Sequence, residues 1–291
     1  MSNNLPDFPE TAQLQTFLEV ATKAAHAGGK VLQSYWGNLK SVQEKRPGDL
    51  VTEADKASEA AIIPILQQHF PDHAILTEES GKLGNQDSEF VWAIDPLDGT
   101  TNFAHQYPVF AVSVAVLVGG VPQAGAIYAP FYQELFQGAR GLGATCNGEP
   151  LKVSPTSELS KSLLVTGFAY DRRQTTDTNY PEFCHLTHLT QGVRRSGSAA
   201  LDLAYVAAGR LDGYWERGLS LWDIAAGIIM VEEAGGKITD YQGNPVNLSS
   251  GRILASNGLL HASISNALEE VRQERFAAFV QAATNIPASR A

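Results

Sequence analysis

The sequence predicts a mixed α+β fold built from stacked layers of helices and sheets. Its first half contains two helical patterns and then a run of apolar segments typical of a meandering sheet. Its second half alternates short apolar segments with helical patterns, as in folds that pack helices against the faces of a sheet. Of the 291 residues, 44% are hydrophobic, which is enough for a large core.

Two amphipathic helices are predicted near the start of the chain. From Thr11 to Trp36 the apolar residues recur near helical spacing, although an internal Gly-Gly pair is expected to weaken or bend the helix. A polar loop at 43–48 follows. The second helix is predicted from Lys56 to Phe70, with a kink at Pro64.

Strands are predicted where short apolar segments are bounded by turn residues. In the first half these segments are 74–78, 90–95, 109–118, 122–128 and 134–137, with a Gly-Gly hairpin turn at 119–120. In the second half the predicted strands are 163–166, 193–196, 211–215, 237–239 and 253–255. The helices predicted between and after them are 182–190, 199–208, 224–234 and 259–278.

The chain is expected to form a loose tail over residues 1–10 and a single domain over residues 11–291. A subdomain boundary would fit near 154–160, but the sequence contains no flexible linker and no internal repeat. These features favour one large folded unit.

Composition excludes several classes of partner. The net charge of −10 repels the phosphates of nucleic acids and membranes, so neither is an expected partner. Two cysteines are too few for a disulfide framework, which fits a reducing compartment. The start of the chain lacks a signal-peptide core, and no apolar run reaches the length of a membrane span. A cytoplasmic location is therefore expected.

The most informative segment is WAIDPLDGTTNF, at 92–103. An apolar run ends in Asp95 and Asp98, and a Gly-Thr-Thr sequence follows at once. Carboxylates at a strand end can hold Mg²⁺, and free N–H groups at the turn can hold a phosphate. The alternative is an ordinary turn in which Asp98 only caps a helix. The first interpretation predicts phosphate-ester chemistry.

Other acids also end or interrupt apolar segments rather than lying in polar runs. They are Asp55, Glu78, Glu216 and Asp223. If such acids converge, two like charges ~4 Å apart cost about 4 kcal/mol at an effective dielectric near 20, so cations would be needed. Mg²⁺ matches an all-oxygen ligand set. Each acid also has a simpler interpretation, as a helix cap for Asp55 and Asp223, a loop acid for Glu78 and a surface acid for Glu216.

Two further features carry less information. The seven histidines show no convincing metal-ligand spacing. Ser196-Gly197-Ser198 predicts a tight turn before the helix that begins at Ala199. The backbone N–H groups of that turn could contact a polar substrate, or the turn could be structural only.

Taken together, these segments resemble the inositol monophosphatase family of Mg²⁺-dependent, lithium-sensitive phosphatases. The resemblance runs from about Thr11 to Leu268, with the segments in the family's order and spacing. They are DLVTEAD (49–55), EES (78–80), WAIDPLDGTTNF (92–103), SGSAALDLAYVAAGRLDGYWE (196–216) and LWDIAAGIIMVEEAGG (221–236). The resemblance implies a five-layered αβαβα sandwich that forms a homodimer.

The resemblance also implies roles for individual residues. Two or three Mg²⁺ ions would be held by Glu78, Asp95, the carbonyl of Leu97, Asp98 and Asp223. Asp55 and Thr100 would orient the attacking water, with Glu78 completing the catalytic set. The N–H groups of Gly99 and Thr100 would bind the phosphate. The polyol hydroxyls would face Asp98, Gly197, Ser198, Ala199, Glu216 and Asp223.

The implied reaction is hydrolysis of a small phosphate monoester, above all inositol 1-phosphate, by direct attack of a metal-activated water. The TTNFAH sequence and the seven-residue spacing from Glu216 to Asp223 are more similar to the inositol branch than to its neighbours. The alternatives are activity on fructose 1,6-bisphosphate, histidinol phosphate or 3′-phosphoadenosine 5′-phosphate. A non-catalytic regulatory protein on the same fold is a further alternative.

The sequence departs from the family pattern at two places. The residue before the Glu pair, often glycine in the family, is Thr77 here. Lys45 lies one position away from the place of the family's metal-linked lysine, where Glu44 stands instead. The role of Lys45 is therefore left open.

Overall fold

The computed structural model describes residues 9–272. Most of the predicted N-terminal tail (1–8) and the last part of the predicted final helix (273–278) lie outside the described residues. The helices within the described range are α1 (Thr11–Tyr35), α2 (Glu53–His69), α3 (Thr100–Ala104), α4 (Tyr180–Leu189), α5 (Ala199–Ala207), α6 (Leu221–Glu233) and α7 (His261–Arg272).

The strands form a hairpin and two larger sheets. The first ten strands are β1 (Val42–Arg46), β2 (Asp49–Thr52), β3 (Ala74–Thr77), β4 (Gly81–Gly84), β5 (Phe90–Asp98), β6 (Ala111–Val118), β7 (Val121–Ala129), β8 (Glu134–Ala139), β9 (Gly143–Cys146) and β10 (Glu149–Pro150). The last five are β11 (Leu163–Thr166), β12 (Gly192–Arg194), β13 (Gly213–Arg217), β14 (Lys237–Thr239) and β15 (Arg252–Ser256).

The two larger sheets have different topologies. The eight-stranded sheet has the order β10-β9-β8-β7-β6-β5-β3-β4, and its neighbours are antiparallel except for the parallel pair β3 and β5. The five-stranded sheet has the order β12-β11-β13-β15-β14, with parallel pairing around β11 and antiparallel pairing around β15. The strands β1 and β2 pair only with each other.

Helices and sheets alternate in five layers, as the resemblance implied. Helices α1 and α2 cover one face of the eight-stranded sheet, and α5 and α6 fill the space between the two sheets. Helices α4 and α7 cover the outer face of the five-stranded sheet. Three buried apolar clusters correspond to these three helix–sheet contacts. The mixed αβαβα sandwich is therefore confirmed.

The glycine pair in the first helix does not interrupt the helix and has a role in packing. The glycine pair lies inside the continuous helix α1, buried against its neighbours. A Cβ at Gly28 would lie 2.7 Å from Ser58 Oγ, and one at Gly29 would lie 2.3 Å from Tyr128 Cδ1. The glycines therefore allow α1 to approach α2 and β7 closely, and this packing offsets their low helix propensity.

Several predicted boundaries were wrong, and two corrections concern helices near the site. The polar segment 43–48, predicted as a loop, belongs to the β1–β2 hairpin. All of β1 is exposed, so it has no burial alternation that could reveal a strand. Helix α2 begins at Glu53 instead of Lys56 and continues through Pro64. Helix α6 begins at Leu221 instead of Ile224. The short strands β4, β9 and β10 were not predicted.

Two other expectations are not tested by the structure. No helix within residues 9–272 is both long enough and apolar enough to span a membrane. The cytoplasmic location stays a prediction. The connection across 151–162 links β10 to β11, and hence one sheet to the other. Whether it separates subdomains also stays a prediction.

Candidate active site

One cavity brings together almost all the predicted site residues. It lies where the ends of β3 and β5 in the large sheet meet the strands β11 and β13 of the other sheet. The predicted residues that line it are Glu78, Asp95, Leu97, Asp98, Gly99, Thr100, Gly197, Ser198, Ala199, Glu216 and Asp223. Asp55 does not line the cavity but lies behind Thr100, whose hydroxyl donates to Asp55 Oδ1 at 2.9 Å.

A bulge in β5 places two acids on the same face of the strand. Asp95 pairs with Ser113 and Asp98 with Ala111, so three steps along β5 correspond to two steps along β6. In a regular strand, residues three apart point to opposite faces, and one extra residue reverses that relation. The bulge therefore turns both carboxylates into the cavity.

The chain turns sharply directly after these acids. Gly99 has φ +94°, and a Cβ there would lie 2.8 Å from the carbonyl oxygen of Val109. Both the left-handed backbone and the close contact require glycine. The turn sends the chain into α3, so the N–H groups of Gly99 and Thr100 stand at the start of that helix.

Asp55 does not cap its helix in the predicted way. The N-cap of α2 is Thr52, and Asp55 is the third helical residue. Asp55 Oδ2 accepts hydrogen bonds from Thr52 N at 2.8 Å and Thr52 Oγ1 at 2.6 Å. This capping box fixes the carboxylate and leaves Oδ1 for Thr100. The capping hydrogen bonds therefore hold the Asp55 carboxylate in the orientation that its predicted catalytic role requires.

Asp223 and Asp98 also differ from the simple capping interpretations. Asp223 is the third residue of α6, and its Oδ2 accepts from Ser220 N at 2.6 Å. Asp98 contacts the start of α5, and not the helix that follows it directly in sequence. It accepts from Ser198 Oγ at 2.6 Å and from Ala200 N at 2.7 Å. Asp98 thereby fixes the predicted substrate turn against the end of β5.

Lys45, whose role the sequence left open, reaches the site from β1. Its Nζ lies 2.9 Å from Glu78 Oε1 and 2.5 Å from Glu79 Oε1. Burial alone would lower the pKa of this ammonium, but the two glutamates outweigh that effect and raise it. Lys45 therefore stays charged and neutralises part of the acidic cluster.

The acids of the cavity have pKa values raised above their ordinary range. Burial is the main cause, because it disfavours the charged form. It raises the pKa of Glu78 to about 7, against the opposing effect of Lys45. Asp55 and Asp98 have pKa values of about 6. The pKa values of Asp95 and Asp223 lie well above the ordinary value, because neighbouring acids repel them in addition to their burial.

The donor set fits a hard divalent cation. Carboxylates and a backbone carbonyl are the ligands of Mg²⁺, and a cation would relieve the repulsion that raises these pKa values. Hydrogen bonds engage Oδ1 of Asp95 and Oδ2 of Asp223, so each keeps a second oxygen for a metal. Within residues 9–272, however, no three acidic, histidine or cysteine side chains converge on one point.

Glu216 forms one wall of the cavity, and three residues that the sequence did not single out support it. Tyr214 donates its hydroxyl to Glu216 Oε2 at 2.7 Å. A Cβ at Gly167 would lie 2.1 Å from both carboxylate oxygens of Glu216. Asn179 Nδ2 donates to the Gly167 carbonyl at 2.7 Å and its Oδ1 accepts from Trp215 Nε1 at 2.7 Å. Gly167 and Asn179 are far from Glu216 in sequence, so only the fold reveals these contacts.

Positive and aromatic groups lie at the rim. Arg46 stands over the ring of Tyr170, 5.4 Å from its centroid, which joins the β1–β2 hairpin to the opposite side of the cavity. Arg195 also lines the cavity, and its charge lowers the pKa of Glu216 against the larger effect of burial, with a net value of about 7. These cations offset the negative charge that a phosphorylated ligand would otherwise meet.

An αβαβα sandwich with an acid-lined cavity beside the N-termini of α3, α5 and α6 fits a phosphoric monoester hydrolase, because such a cavity offers ligands for a cation and N–H groups for a phosphate. A sequence model described as the Inositol monophosphatase family matches residues 13–273. The chain belongs to the inositol monophosphatase family. The expectation of an enzyme, a phosphatase of this family, is confirmed.

Individual relatives agree with this assignment. The chain is 60% identical over 263 residues to the inositol-1-monophosphatase of Synechocystis sp., covering 90% of this chain and 92% of the relative. It is 41% identical to the Nus factor SuhB of Escherichia coli, covering 89% and 98%. The solved structure of an inositol monophosphatase from Anabaena (Nostoc) sp. is 65% identical, with a TM-score of 0.83 and coverage of 89% and 97%.

Proposed function

We propose that the chain hydrolyses a small phosphorylated polyol, with inositol 1-phosphate as its preferred substrate and two or three Mg²⁺ ions as cofactors. One observation carries the proposal. The carboxylates of Glu78, Asp95, Asp98 and Asp223 line a single cavity together with the start of α3. Anionic ligands for a cation thus stand beside N–H groups suited to a phosphate.

The proposed ligands are Glu78, Asp95, the Leu97 carbonyl, Asp98 and Asp223. When bound, Mg²⁺ would neutralise the phosphoryl oxygens, lower the pKa of a water and stabilise the leaving alkoxide. The protein keeps the ligands in place through hydrogen bonds to β5, α5 and α6. The reaction needs such help because phosphate monoesters hydrolyse extremely slowly unaided.

Asp55 and Thr100 are proposed to orient the attacking water. Thr100 Oγ1 lies 2.9 Å from Asp55 Oδ1 and 3.0 Å from the Leu97 carbonyl oxygen. The hydroxyl has one hydrogen and can donate to only one of these oxygens at a time. If Leu97 is engaged as a ligand, the hydrogen points to Asp55 and the lone pairs of Thr100 can accept a hydrogen bond from water.

Direct attack by water is favoured over a covalent intermediate. Ser198 lines the cavity, but the carboxylate that accepts its hydroxyl hydrogen, Asp98, is itself a proposed metal ligand and also accepts from Ala200 N, so it is not free to act as a general base for Ser198. Among the described residues that line the cavity there is no histidine and no cysteine. The phosphate is proposed to meet the N–H groups of Gly99 and Thr100.

The polyol is proposed to lie against Glu216 and the turn Gly197–Ala199. Glu216 and this turn line the same cavity as Asp98 and Asp223, so hydrogen-bonding groups for several hydroxyls lie in one cavity. Hydroxyls that donate to carboxylates form strong, directional bonds. This arrangement suits a polyhydroxylated substrate better than an apolar one.

A turnover panel tests the substrate assignment. Phosphate release would be measured with Mg²⁺ from inositol 1-phosphate, fructose 1,6-bisphosphate, histidinol phosphate and 3′-phosphoadenosine 5′-phosphate. The highest kcat/KM is expected for inositol 1-phosphate, with inhibition by Li⁺. A higher value for another ester would transfer the assignment to that ester and leave the phosphatase class intact.

Glu216→Gln is expected to affect substrate recognition more than chemistry. Glu216 is not among the proposed metal ligands, so kcat/KM for inositol 1-phosphate should fall far more than for a simple aryl phosphate. A good hydrogen bond to a carboxylate contributes about 1.5–3 kcal/mol, which corresponds to about ten- to hundredfold. Steady-state kinetics on both substrates decide the matter, and equal losses would assign Glu216 to the metal site or the fold.

Gly167→Ala is expected to reproduce this selective loss without changing Glu216 itself. The new Cβ would lie within 2.1 Å of the carboxylate oxygens and would push Glu216 out of its position. A drop of about tenfold or more in kcat/KM for inositol 1-phosphate is expected, with the aryl phosphate spared. Gly192→Ala, in which the nearest atom lies 3.2 Å away on a flexible arginine, is the matched control. Wild-type discrimination in the Gly167 variant would contradict the assignment.

A regulatory role is the second candidate, because a relative 41% identical to the chain is named Nus factor SuhB. The two roles can be separated in cells in which the wild-type chain is replaced by an inactive variant such as Asp95→Asn. Normal growth and transcription there would favour regulation, whereas a defect matching deletion would favour catalysis.

The homodimer is a proposal too, and light scattering of the purified protein tests it.

A further inference from the structure

Helix α2 presents three buried polar side chains to the site. Asp55, Ser58 and Glu59 are each less than 5% exposed. Asp55 accepts from Thr100, and Ser58 Oγ donates to the carbonyl of Pro96 at 2.8 Å. Glu59 has no part in the functions described so far, and it lies outside the motifs singled out in the sequence.

Glu59 is bonded to the segment that carries Glu78. Its Oε2 accepts from the Thr77 hydroxyl, from Glu79 N at 3.2 Å and from Ser80 N at 3.3 Å. Its Oε1 accepts from the Ser80 hydroxyl. Two backbone N–H groups and two hydroxyls thus donate to one carboxylate. An ionised carboxylate accepts through both oxygens and donates nothing, so it matches this set of four donors.

The bonds lie on both sides of Glu78 in the sequence. Thr77 ends β3, and Glu79 and Ser80 follow Glu78. The backbone N–H of Glu78 itself donates to the Ile94 carbonyl at 3.3 Å, which is a long hydrogen bond. Fixing the residues before and after Glu78 therefore fixes where its carboxylate enters the cavity.

Two further facts indicate a dedicated anchor. Within residues 9–272, no lysine, arginine or histidine forms an ion pair with Glu59, so its charge is balanced by hydrogen-bond donors of the 77–80 segment. One of those donors, the Thr77 hydroxyl, belongs to a fully buried residue (0% exposed), so it has no water to bond in place of Glu59.

We propose that Glu59 is a positioning residue that holds the segment Thr77–Ser80 so that Glu78 can serve as a metal ligand. The inference rests on the proposed function, because it assumes that Glu78 binds Mg²⁺. Glu59 does not touch the substrate or the reacting atoms. Its removal should weaken Mg²⁺ binding while leaving the chemical step intact once Mg²⁺ is bound.

The test is Glu59→Gln, which keeps the shape of the side chain and removes its charge and one acceptor oxygen. Residues that orient metal ligands typically change metal affinity by about ten- to a hundredfold when replaced. The Mg²⁺ concentration for half-maximal phosphate release is expected to rise by about that factor. At saturating Mg²⁺, kcat and the KM for inositol 1-phosphate should stay near wild type. The Mg²⁺ concentration that raises the melting temperature should increase in parallel.

Glu53→Gln is the matched control. Glu53 lies on the same helix and also accepts from a backbone N–H and a serine hydroxyl, those of Lys40 and Ser41, away from the 77–80 segment. This variant should keep the wild-type Mg²⁺ requirement. Glu59→Asp, which keeps a carboxylate, should recover part of the loss.

If Glu59→Gln fails to fold, Thr77→Val and Ser80→Ala remove two of the donors while Glu59 stays in place. Each should raise the Mg²⁺ requirement in the same direction by a smaller factor. An unchanged Mg²⁺ requirement in the folded variants overturns the inference. So does a loss confined to the melting temperature in EDTA or to kcat at saturating Mg²⁺. A wild-type protein indifferent to Mg²⁺ would instead overturn the proposed function.

Discussion

Asp95→Asn is expected to reduce Mg²⁺-dependent phosphate release to background while the protein stays folded. Asp95 is 2% exposed, lines the cavity and is one of the proposed Mg²⁺ ligands. Its pKa lies well above the ordinary value because of burial and repulsion from Glu78, Asp98 and Asp223. The amide keeps the size of the side chain and removes the charge on which cation binding depends.

The same substitution should not lower the stability of the metal-free protein, although it abolishes activity. Removing one of several buried like charges relieves repulsion, so the melting temperature in EDTA should not fall below that of wild type. The rise in melting temperature on adding Mg²⁺ should shrink, because the variant binds the ion less well. Calorimetry with and without Mg²⁺ measures both effects.

Asp202→Asn is the matched control, since Asp202 is also a buried acid with a raised pKa but does not line the cavity. It should keep Mg²⁺-dependent turnover. Near-wild-type turnover in a folded Asp95→Asn protein would contradict the proposed metal site.

Thr100→Ala is expected to lower kcat by about 10²–10⁴-fold, the contribution typical of proton transfer by a positioned group. The substitution removes the hydroxyl that links Asp55 to the cavity at 2.9 Å. Mg²⁺ binding should change only modestly, because the proposed ligands keep their own hydrogen bonds. The two quantities are separated by measuring kcat at saturating Mg²⁺ and the Mg²⁺-induced rise in melting temperature.

Thr101→Ala provides the control for Thr100→Ala. Thr101 is the next residue of the same short helix but does not line the cavity. Its replacement should leave kcat near wild type. If Thr100→Ala lost only Mg²⁺ affinity and kept kcat at saturation, the hydroxyl would hold the metal ligands in place and would not orient water.

The layered fold and the acids at strand ends could be predicted from the sequence because their signals are local. The apolar run before Asp95 predicts a buried strand with acids near its end, although β5 continues past Asp95 and ends at Asp98. The bulge that turns Asp95 and Asp98 to one face could not be predicted from that run. It depends on pairing with β6, which lies farther along the chain.

The supporting contacts were missed because they join distant residues. In the sequence, Gly167 cannot be distinguished from any other loop glycine. Only the structure shows that it packs against Glu216. Glu59 lies within an ordinary amphipathic helix, and nothing in its immediate sequence indicates that its carboxylate faces the 77–80 segment. The capping roles of Asp55 and Asp223 were wrong by a few residues, because helix ends are set by the capping hydrogen bonds and not by the acids alone.

Phosphate release from inositol 1-phosphate, measured while Mg²⁺ is titrated into EDTA-treated protein, tests the central claim most directly. The account predicts no release in EDTA, a saturable rise with Mg²⁺, and no rise in the Asp95→Asn variant at any Mg²⁺ concentration. Release that is equal with and without Mg²⁺, or no release from inositol 1-phosphate by folded protein saturated with Mg²⁺, would contradict it.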